Sequence, residues 1–351
     1  MIRARPLVQS GPMPADALPL AGGGLWFREV EVLTRGGPSR FAAASTLPDD
    51  LIDRLTRPRA PIGAMALNQP RIMGILNVTP DSFSDGGRNQ GDDALTHARQ
   101  MRDHGADILD IGGESTRPGA TPVTLEEERA RVLPALDAIR ADGIDLPISI
   151  DTRKAAIARE TMARHPRTRG ANLFNDVSAL THDPASPEAA RELGVPVCLM
   201  HAQGDPQTMQ QAPHYDDVLL DVYDWLDTRI HELEAHGLDR NLMLVDPGIG
   251  FGKTHDHNLA LIRGLSLFHG LGCAILFGAS RKRFIGTLTG EQIAARRDPG
   301  SHAVMIEAAR QGAQILRVHD TKGAVQALRV WSALNLPTFQ DDTTTSERHP
   351  R

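Results

Sequence analysis

The chain has 351 residues, with 38 Lys and Arg against 44 Asp and Glu and a formal net charge of -6. At about 150 residues per domain this length suits two domains or one large α/β barrel, and it allows a sizeable core. The charge balance excludes a protein that holds a nucleic-acid backbone or an anionic membrane by bulk charge, and two cysteines, Cys198 and Cys273, exclude a disulfide framework. Both lie in apolar runs, which suits small core residues in a reducing cytoplasm. Arg3 and Arg5 are not followed by a continuous apolar stretch, and no segment approaches the about 18 apolar residues of a membrane span. The expectation is a soluble cytoplasmic protein with small-molecule partners.

Residues 1–70 hold a GGG run at 22–24, a GG pair at 36–37, several prolines and one candidate strand over 25–34, LWFREVEVLT. They read as an N-terminal accessory segment with a small β element, Leu25, Trp26 and Phe27 being candidate contacts to the next domain. The segment is expected to be dispensable for chemistry, since every candidate functional residue follows it. From residue 71 onward, short apolar runs alternate with stretches of helical period, as in βα units built on a parallel sheet. The candidate strands are 71–76, 107–111, 147–151, 172–176, 195–200, 242–246, 273–277 and 314–318, most of them apolar on both faces as buried parallel strands are.

The intervening helices carry their own signals. Thr124 with Glu127 three residues on predicts a capping box ahead of Val132, Leu136 and Ile139. Asp216 and Asp217 suit the start of a longer helix with Val218, Val222, Leu226, Ile230 and Leu233 on one stripe. Eight βα units predict an α/β fold, a (β/α)8 TIM barrel over 71–338, whereas a doubly wound open sheet normally uses fewer strands. The last stretch, 339–351, lacks apolar residues from Asp341 on and is expected to be a disordered tail.

In such a barrel the C-terminal ends of the strands face the active site. Asn77 follows the first strand, GGESTRPGA (112–120) the second, and Asp151 and Asn175 end the third and fourth. Met200 and His201 end the fifth, Asp246 with PGIGFGK the sixth, Ser280, Arg281 and Lys282 follow the seventh, and Arg317 and His319 belong to the eighth. Singly, each has a plain structural explanation: an Asp at a strand end is as often a helix cap, a glycine pair a turn, an Arg a solvated charge. Their placement on one rim favours function. Arg117, Lys282, Arg317 and His319 are donors suited to a diphosphate, and Asn77 could ligate Mg²⁺ through its amide oxygen. Asp151, Asn175 and Asp246 suit the NH and NH₂ edge of a flat heterocycle. Zinc spacing, a Ser-His-Asp set and a P-loop are all lacking, so hydrolase and kinase readings lose support.

The motifs ILNVTPDSFSDGG, ADILDIGGESTRPGA, ISIDT, NDVSA, DPGIGFGKT, GASRK and RVHD occur in this order between about residues 71 and 334. At these residues the chain resembles the dihydropteroate synthase family, folate-pathway enzymes and sulfonamide targets. The resemblance implies a transferase that joins 4-aminobenzoate to (7,8-dihydropterin-6-yl)methyl diphosphate, with Mg²⁺ as cofactor and a homodimer as the assembly. It implies that Asp151, Asn175, Met200, Asp246 and Lys282 bind the pterin. Asn77, with the Mg²⁺, and Thr116, Arg117, Arg317 and His319 would bind the diphosphate. Phe83, Thr116, Pro118, Phe251, Ser280 and Arg283 would border the 4-aminobenzoate, and Lys282, Asp151 and Arg117 would be the catalytic set. Ala202, Ala279 and Arg283 depart from the residues frequent in the family at those positions. The alternatives are a pterin-binding methyltransferase and a non-catalytic pterin-binding paralogue. SFSDGG and SRK disfavour the first, and an intact set of Asn77, Arg117, Lys282 and Arg317 disfavours the second.

Overall fold

The computed structural model describes residues 2–79, 90–115, 122–163, 170–204 and 209–336. Eight parallel strands close into a barrel: β6 (Arg71–Asn77), β7 (Ile108–Gly112), β8 (Ile148–Asp151), β9 (Leu173–Asp176), β10 (Val197–Met200), β11 (Met243–Asp246), β12 (Ala274–Phe277) and β13 (Ile315–Val318). The strands neighbour one another in sequence order, and β13 returns to pair with β6. Helices α2 (Gln90–Asp103), α3 (Leu125–Ala141), α4 (Ala155–Ala163), α5 (Ser186–Leu193), α6 (Val218–Ala235), α7 (His255–Arg263) and α10 (Thr321–Asn335) fill the connections. The link from β12 to β13 carries two helices, α8 (Arg283–Thr289) and α9 (Asp298–Arg310). The sequence rhythm thus predicts the (β/α)8 barrel correctly, with strand bounds within two residues.

The local signals act as expected. Thr124 accepts from the Glu127 amide while the Glu127 carboxylate accepts from the Thr124 amide, which fixes the start of α3. Asp217 caps α6 through the amides of Leu219 and Leu220, and the stripe Val218, Val222, Leu226, Ile230 and Leu233 is buried.

Alternation along the strands explains where the barrel changes from apolar to polar. Met73, Ile108, Leu173, Cys198, Leu244, Leu276 and Ile315 pack as one apolar cluster inside the barrel. Side chains two residues further along a strand point the same way, one step nearer the C-terminal mouth. Those positions hold Asp110, Asn175, Met200, Asp246 and Arg317, with Ile75 on β6 and Gly278 after β12. The polar set therefore stands on an apolar floor.

The N-terminal segment is woven into the same structure. Strands β1 (Arg3–Pro6), β4 (Glu29–Leu33) and β5 (Arg40–Ala43) form an antiparallel sheet, and β2 (Leu18–Pro19) pairs with β3 (Trp26–Phe27). The single strand expected over 25–34 is broken at Arg28, because β3 pairs with β2 whereas β4 pairs with β1 and β5. Phe27, Val30 and, from α1 (Asp49–Thr56), Leu51 and Leu55 are buried in one cluster with Tyr223, Phe268 and Ile275 of the barrel. Leu25 is buried as well, and Trp26 Nε1 donates to the Gly11 carbonyl at 3.1 Å.

Ile62 joins the barrel's interior cluster with no exposed surface, stoppering the N-terminal end. Buried Arg59 donates to the carbonyls of Gly272 at 3.1 Å and His269 at 3.4 Å. Residue 70 thus ends a topological unit and not a packing unit. The expected tail, 339–351, lies outside the described residues. Among the described residues no helix is long and apolar enough to cross a membrane.

Candidate functional site

At the barrel mouth Asp151 stands beside Asn175 in register, and Met200 beside Asp246. Asp110, Asp151, Asn175, Met200 and Asp246 are all buried. Arg317 reaches in from β13: its Nε donates to Asp110 Oδ2 at 2.6 Å and its Nη2 to Asp151 Oδ2 at 2.9 Å. Asn175 Nδ2 donates to Asp110 at 3.3 Å. Asp246 Oδ1 accepts from the Gly248 amide at 2.7 Å.

Two glycines keep the middle open. A Cβ on Gly112 would lie 3.6 Å from Asn77 Oδ1 and 3.7 Å from Asp151 Oδ2, and one on Gly278 would lie 3.7 Å from the Arg317 side chain and 3.9 Å from Asp246 Oδ2. Each would fill the space between functional groups.

Electrostatics divides this set. Burial pushes the Asp151 carboxyl up to about 7, with Arg317 opposing and Asp110 adding to the rise. Asp246 is also raised by burial, against the pull of Lys282. Burial works against the Arg317 guanidinium, but Asp110 and Asp151 outweigh it and hold the charge firmly in place. Lys282 is lowered to about 8, chiefly by burial, with Asp246 pulling the other way. Its Nζ donates to the Ile249 carbonyl and lies 4.4 Å from the centre of the Phe251 ring, a cation–π contact. Three acids, Asp110, Asp151 and Asp246, and two cations, Lys282 and Arg317, therefore share one low-dielectric pocket.

Asp151 Oδ1 is buried and, among the described residues, has no hydrogen-bond partner. A buried acceptor left unmade costs about 1–3 kcal/mol.

The remaining expected residues divide by place. Ser280 Oγ lies 2.9 Å from His319 Nδ1 and accepts from the His319 amide at 3.2 Å, joining the ends of β12 and β13 at the rim. Asn77 ends β6 at the same rim. Arg283 opens α8 as an exposed residue. Arg317 stands with the carboxylates inside the barrel and not with His319. Phe83, Thr116, Arg117 and Pro118 lie outside the described residues.

Three buried groups were not among the expected site residues. Asp110 lies mid-strand, where no loop motif marks it. Lys253, the last residue of PGIGFGK, places its ammonium against His201 Nδ1 at 2.9 Å, the His201 carbonyl at 3.2 Å and the Phe251 carbonyl at 3.0 Å. These three acceptors match the three N–H groups of an ammonium. His201 is lowered to about 2 by burial and by Lys253, so its ring is neutral and able to accept. Glu114 receives Arg153 at 2.7 Å and Lys154 at 2.9 Å just past the C-terminal ends of β7 and β8. For Asp110 and Glu114 the signal was a charge inside a strand or just after it, and for Lys253 a charge closing the glycine-rich loop after β11.

For magnesium the fit is that of a partly supplied shell. Among the described residues no group of three or more His, Cys, Asp or Glu could hold a metal ion. Asn77 instead offers one hard amide oxygen beside the Asp151 carboxylate, across the gap at Gly112. Mg²⁺ commonly takes one or two protein oxygens and completes its octahedron with water and substrate phosphate. The donor set fits that mode.

A family model described as pterin binding enzyme matches residues 73–319, which is the barrel with its C-terminal rim. The chain belongs to the pterin binding enzyme family. Within that family it is 47% identical over 271 residues to the dihydropteroate synthase of Escherichia coli strain K12, covering 77% of this chain and 93% of the relative. Among solved structures, a Xanthomonas albilineans dihydropteroate synthase with 4-aminobenzoic acid superposes with a TM-score of 0.71 at 46% identity, covering 77% of this chain and 94% of that one. Another structure of the Xanthomonas albilineans enzyme, in complex with 7,8-dihydropteroate, gives 0.70 at 42% identity over 79% and 98% of the two chains. As a pterin binding enzyme the chain thus spans nearly the whole length of its relatives, and its surplus is outside the barrel.

Proposed function

We propose that this pterin binding enzyme is a dihydropteroate synthase. It joins 4-aminobenzoate to (7,8-dihydropterin-6-yl)methyl diphosphate and releases 7,8-dihydropteroate and diphosphate. The observation that carries the reading is the buried, unpartnered Asp151 Oδ1 beside Asp246 and opposite Lys282 and Arg317. It is a cavity wall built to accept hydrogen bonds from a flat N–H-bearing ring and to tolerate positive charge on it. The similarity to dihydropteroate synthases along nearly their full length supports the same conclusion.

In this reading Asp151, Asn175 and Asp246 take the amino-pyrimidinone edge, with Met200 packing against the ring. As the C–O bond to the diphosphate breaks, positive charge develops on the pterin, and the two carboxylates stabilise it. Lys282 holds the ring from the β12 side, its ammonium steadied by Ile249 and Phe251. Asn77, Thr116, Arg117 and His319 hold the diphosphate, and Arg317 bridges the two halves. Asn77 would hold Mg²⁺, which when bound supplies charge neutralisation on the leaving group. The 4-aminobenzoate lies between Phe251 and the loops carrying Phe83, Thr116 and Pro118, with Ser280 and the exposed Arg283 towards its carboxylate. Its amine attacks as a neutral nucleophile, so the pocket needs no strong base. A cytoplasmic homodimer completes the proposal. It is supported by the family resemblance and, for the compartment, by the free buried thiols of Cys198 and Cys273.

The deciding experiment incubates the purified chain with both substrates and Mg²⁺ and follows 7,8-dihydropteroate by chromatography. Product that requires both substrates is the expected result. Pterin binding without product would move the chain to a carrier or methyl-transfer role.

A further inference from the structure

A carboxylate in the interior of a barrel strand is expensive to bury unless it is paired, and an apolar residue would serve packing alone as well. Asp110 is such a group: it sits in the middle of β7, has no exposed surface and pairs in register with Ile75 and Ser149. Its carboxylate accepts from Arg317 Nε at 2.6 Å and from Asn175 Nδ2 at 3.3 Å. It therefore touches two residues of the pterin pocket from within their own layer of the barrel interior.

The geometry of a guanidinium gives this arrangement a consequence. Arg317 meets one oxygen of Asp110 through Nε and one oxygen of Asp151 through Nη2. A guanidinium facing a single carboxylate tends to take both oxygens in a two-pronged pair. With Asp110 on Nε, the Nε/Nη2 fork is split between two carboxylates: Arg317 meets Asp151 through Oδ2, and Asp151 Oδ1 has no partner among the described residues. The second contact acts on Asn175. With its Nδ2 donating to Asp110, the amide keeps its oxygen to accept from a ligand N–H.

We propose that Asp110 is a positioning residue for the pterin half of the reaction, holding Arg317 off Asp151 Oδ1 and fixing the orientation of the Asn175 amide. The inference rests on the pterin pocket described above. In the proposed binding mode the 4-aminobenzoate and the diphosphate lie at the rim, whereas Asp110 lies in the barrel interior. Its removal therefore acts on one substrate. Without its charge, Arg317 closes on both oxygens of Asp151, and the pterin loses acceptors.

The test measures both Michaelis constants, kcat and the calorimetric Kd for 6-hydroxymethylpterin in the full-length chain and in Asp110→Asn. The expected result is a rise of about 10-fold or more in the pterin KM and Kd, the size of one lost hydrogen bond to a charged group. The 4-aminobenzoate KM should stay within about twofold. Equal rises in both constants, or none, with a full-length chain that binds pterin, overturn the inference and leave the pocket standing. A full-length chain that binds no pterin overturns the pocket itself. Should Asp110→Asn not fold, Asp110→Glu keeps the charge but displaces it by one methylene and is expected to give the same one-sided rise. A double variant adds an independent reading. In an Arg317→Gln background the further change Asp110→Asn should cost the pterin Kd less than it does in the wild-type chain, because only the Asn175 contact is left to lose. Full additivity would show that Asp110 does not act through Arg317.

Discussion

Asp246 allows the sharpest test at the scale of one residue. Its Oδ1 accepts from the Gly248 amide, which an Asn oxygen would also do, and burial already disfavours its charge. Asp246→Asn should therefore leave the melting temperature unchanged or slightly raised, since a neutral isostere removes a buried charge. It should lower kcat/KM by on the order of 10²-fold, about 2.7 kcal/mol of transition-state stabilisation. Unchanged activity would reduce Asp246 to a turn residue.

Two neighbours predict the pH profile of kcat/KM for the pterin substrate, which reports the free enzyme. Asp151, pushed up to about 7, must be ionised to accept and to stabilise the cation, so activity rises as pH passes upward through that value. Lys282, lowered to about 8, must keep its proton, so activity falls above it. The expected profile is a narrow bell, and Lys282→Arg should remove the alkaline limb; a flat profile from pH 6 to 9 would assign neither group to the step. Residues at strand ends were legible in sequence because the barrel places them at the mouth. Asp110 and Lys253 were not, because their partners lie on β13 and just after β10, far away in the chain.

At the scale of elements, the turn after β12 shows how a loop holds its side chains. Arg281 has φ of +60°, in the left-handed region that a residue with a Cβ enters at a cost of roughly 1 kcal/mol. Its amide donates to Ser301 Oγ at 2.9 Å, and its guanidinium grips both oxygens of Asp298 at 2.7 and 2.8 Å. These contacts tie the turn that carries Ser280 and Lys282 to α9. Arg281→Gly loses the ion pair but relieves the backbone, whereas Arg281→Ala loses the pair and keeps the strain. The Gly variant should be more stable than the Ala variant by about 1 kcal/mol in denaturant unfolding. Both should lose activity several-fold if the grip places Lys282; equal stability would show that the left-handed turn is unstrained. The strands were legible because both of their faces are buried, so the apolar runs stand out. The break at Arg28 was hidden, because each half of LWFREVEVLT pairs with a partner that local pattern cannot name. The second helix between β12 and β13 was hidden as well, since the polar run RRDPGSH reads as loop.

At the scale of the whole molecule the question is what the first 70 residues add. Sequence suggests a segment laid on a finished barrel, yet Phe27, Leu51 and Leu55 share one buried cluster with Phe268 and Ile275, and Ile62 completes the barrel's own interior. Arg3 also grips both oxygens of Asp224 on α6, at 2.7 Å each. The segment and barrel should therefore unfold as one unit. Ile62→Ala is expected to lower stability by about 2–4 kcal/mol, the range for deleting buried methyl groups without refilling the space. The loss should appear as a shift of a single calorimetric transition, with kcat and both KM values retained below it, because Ile62 closes the end opposite Asp151 and Asp246. Phe27→Ala should shift the same single transition by about 3–5 kcal/mol. A chain beginning at Leu67 would lack both side chains and expose the surface they cover, so it should melt lower still or aggregate while keeping every proposed substrate contact. A separate early transition in Phe27→Ala, with the main one unmoved, would instead make the N-terminal segment an independent layer on a self-sufficient barrel.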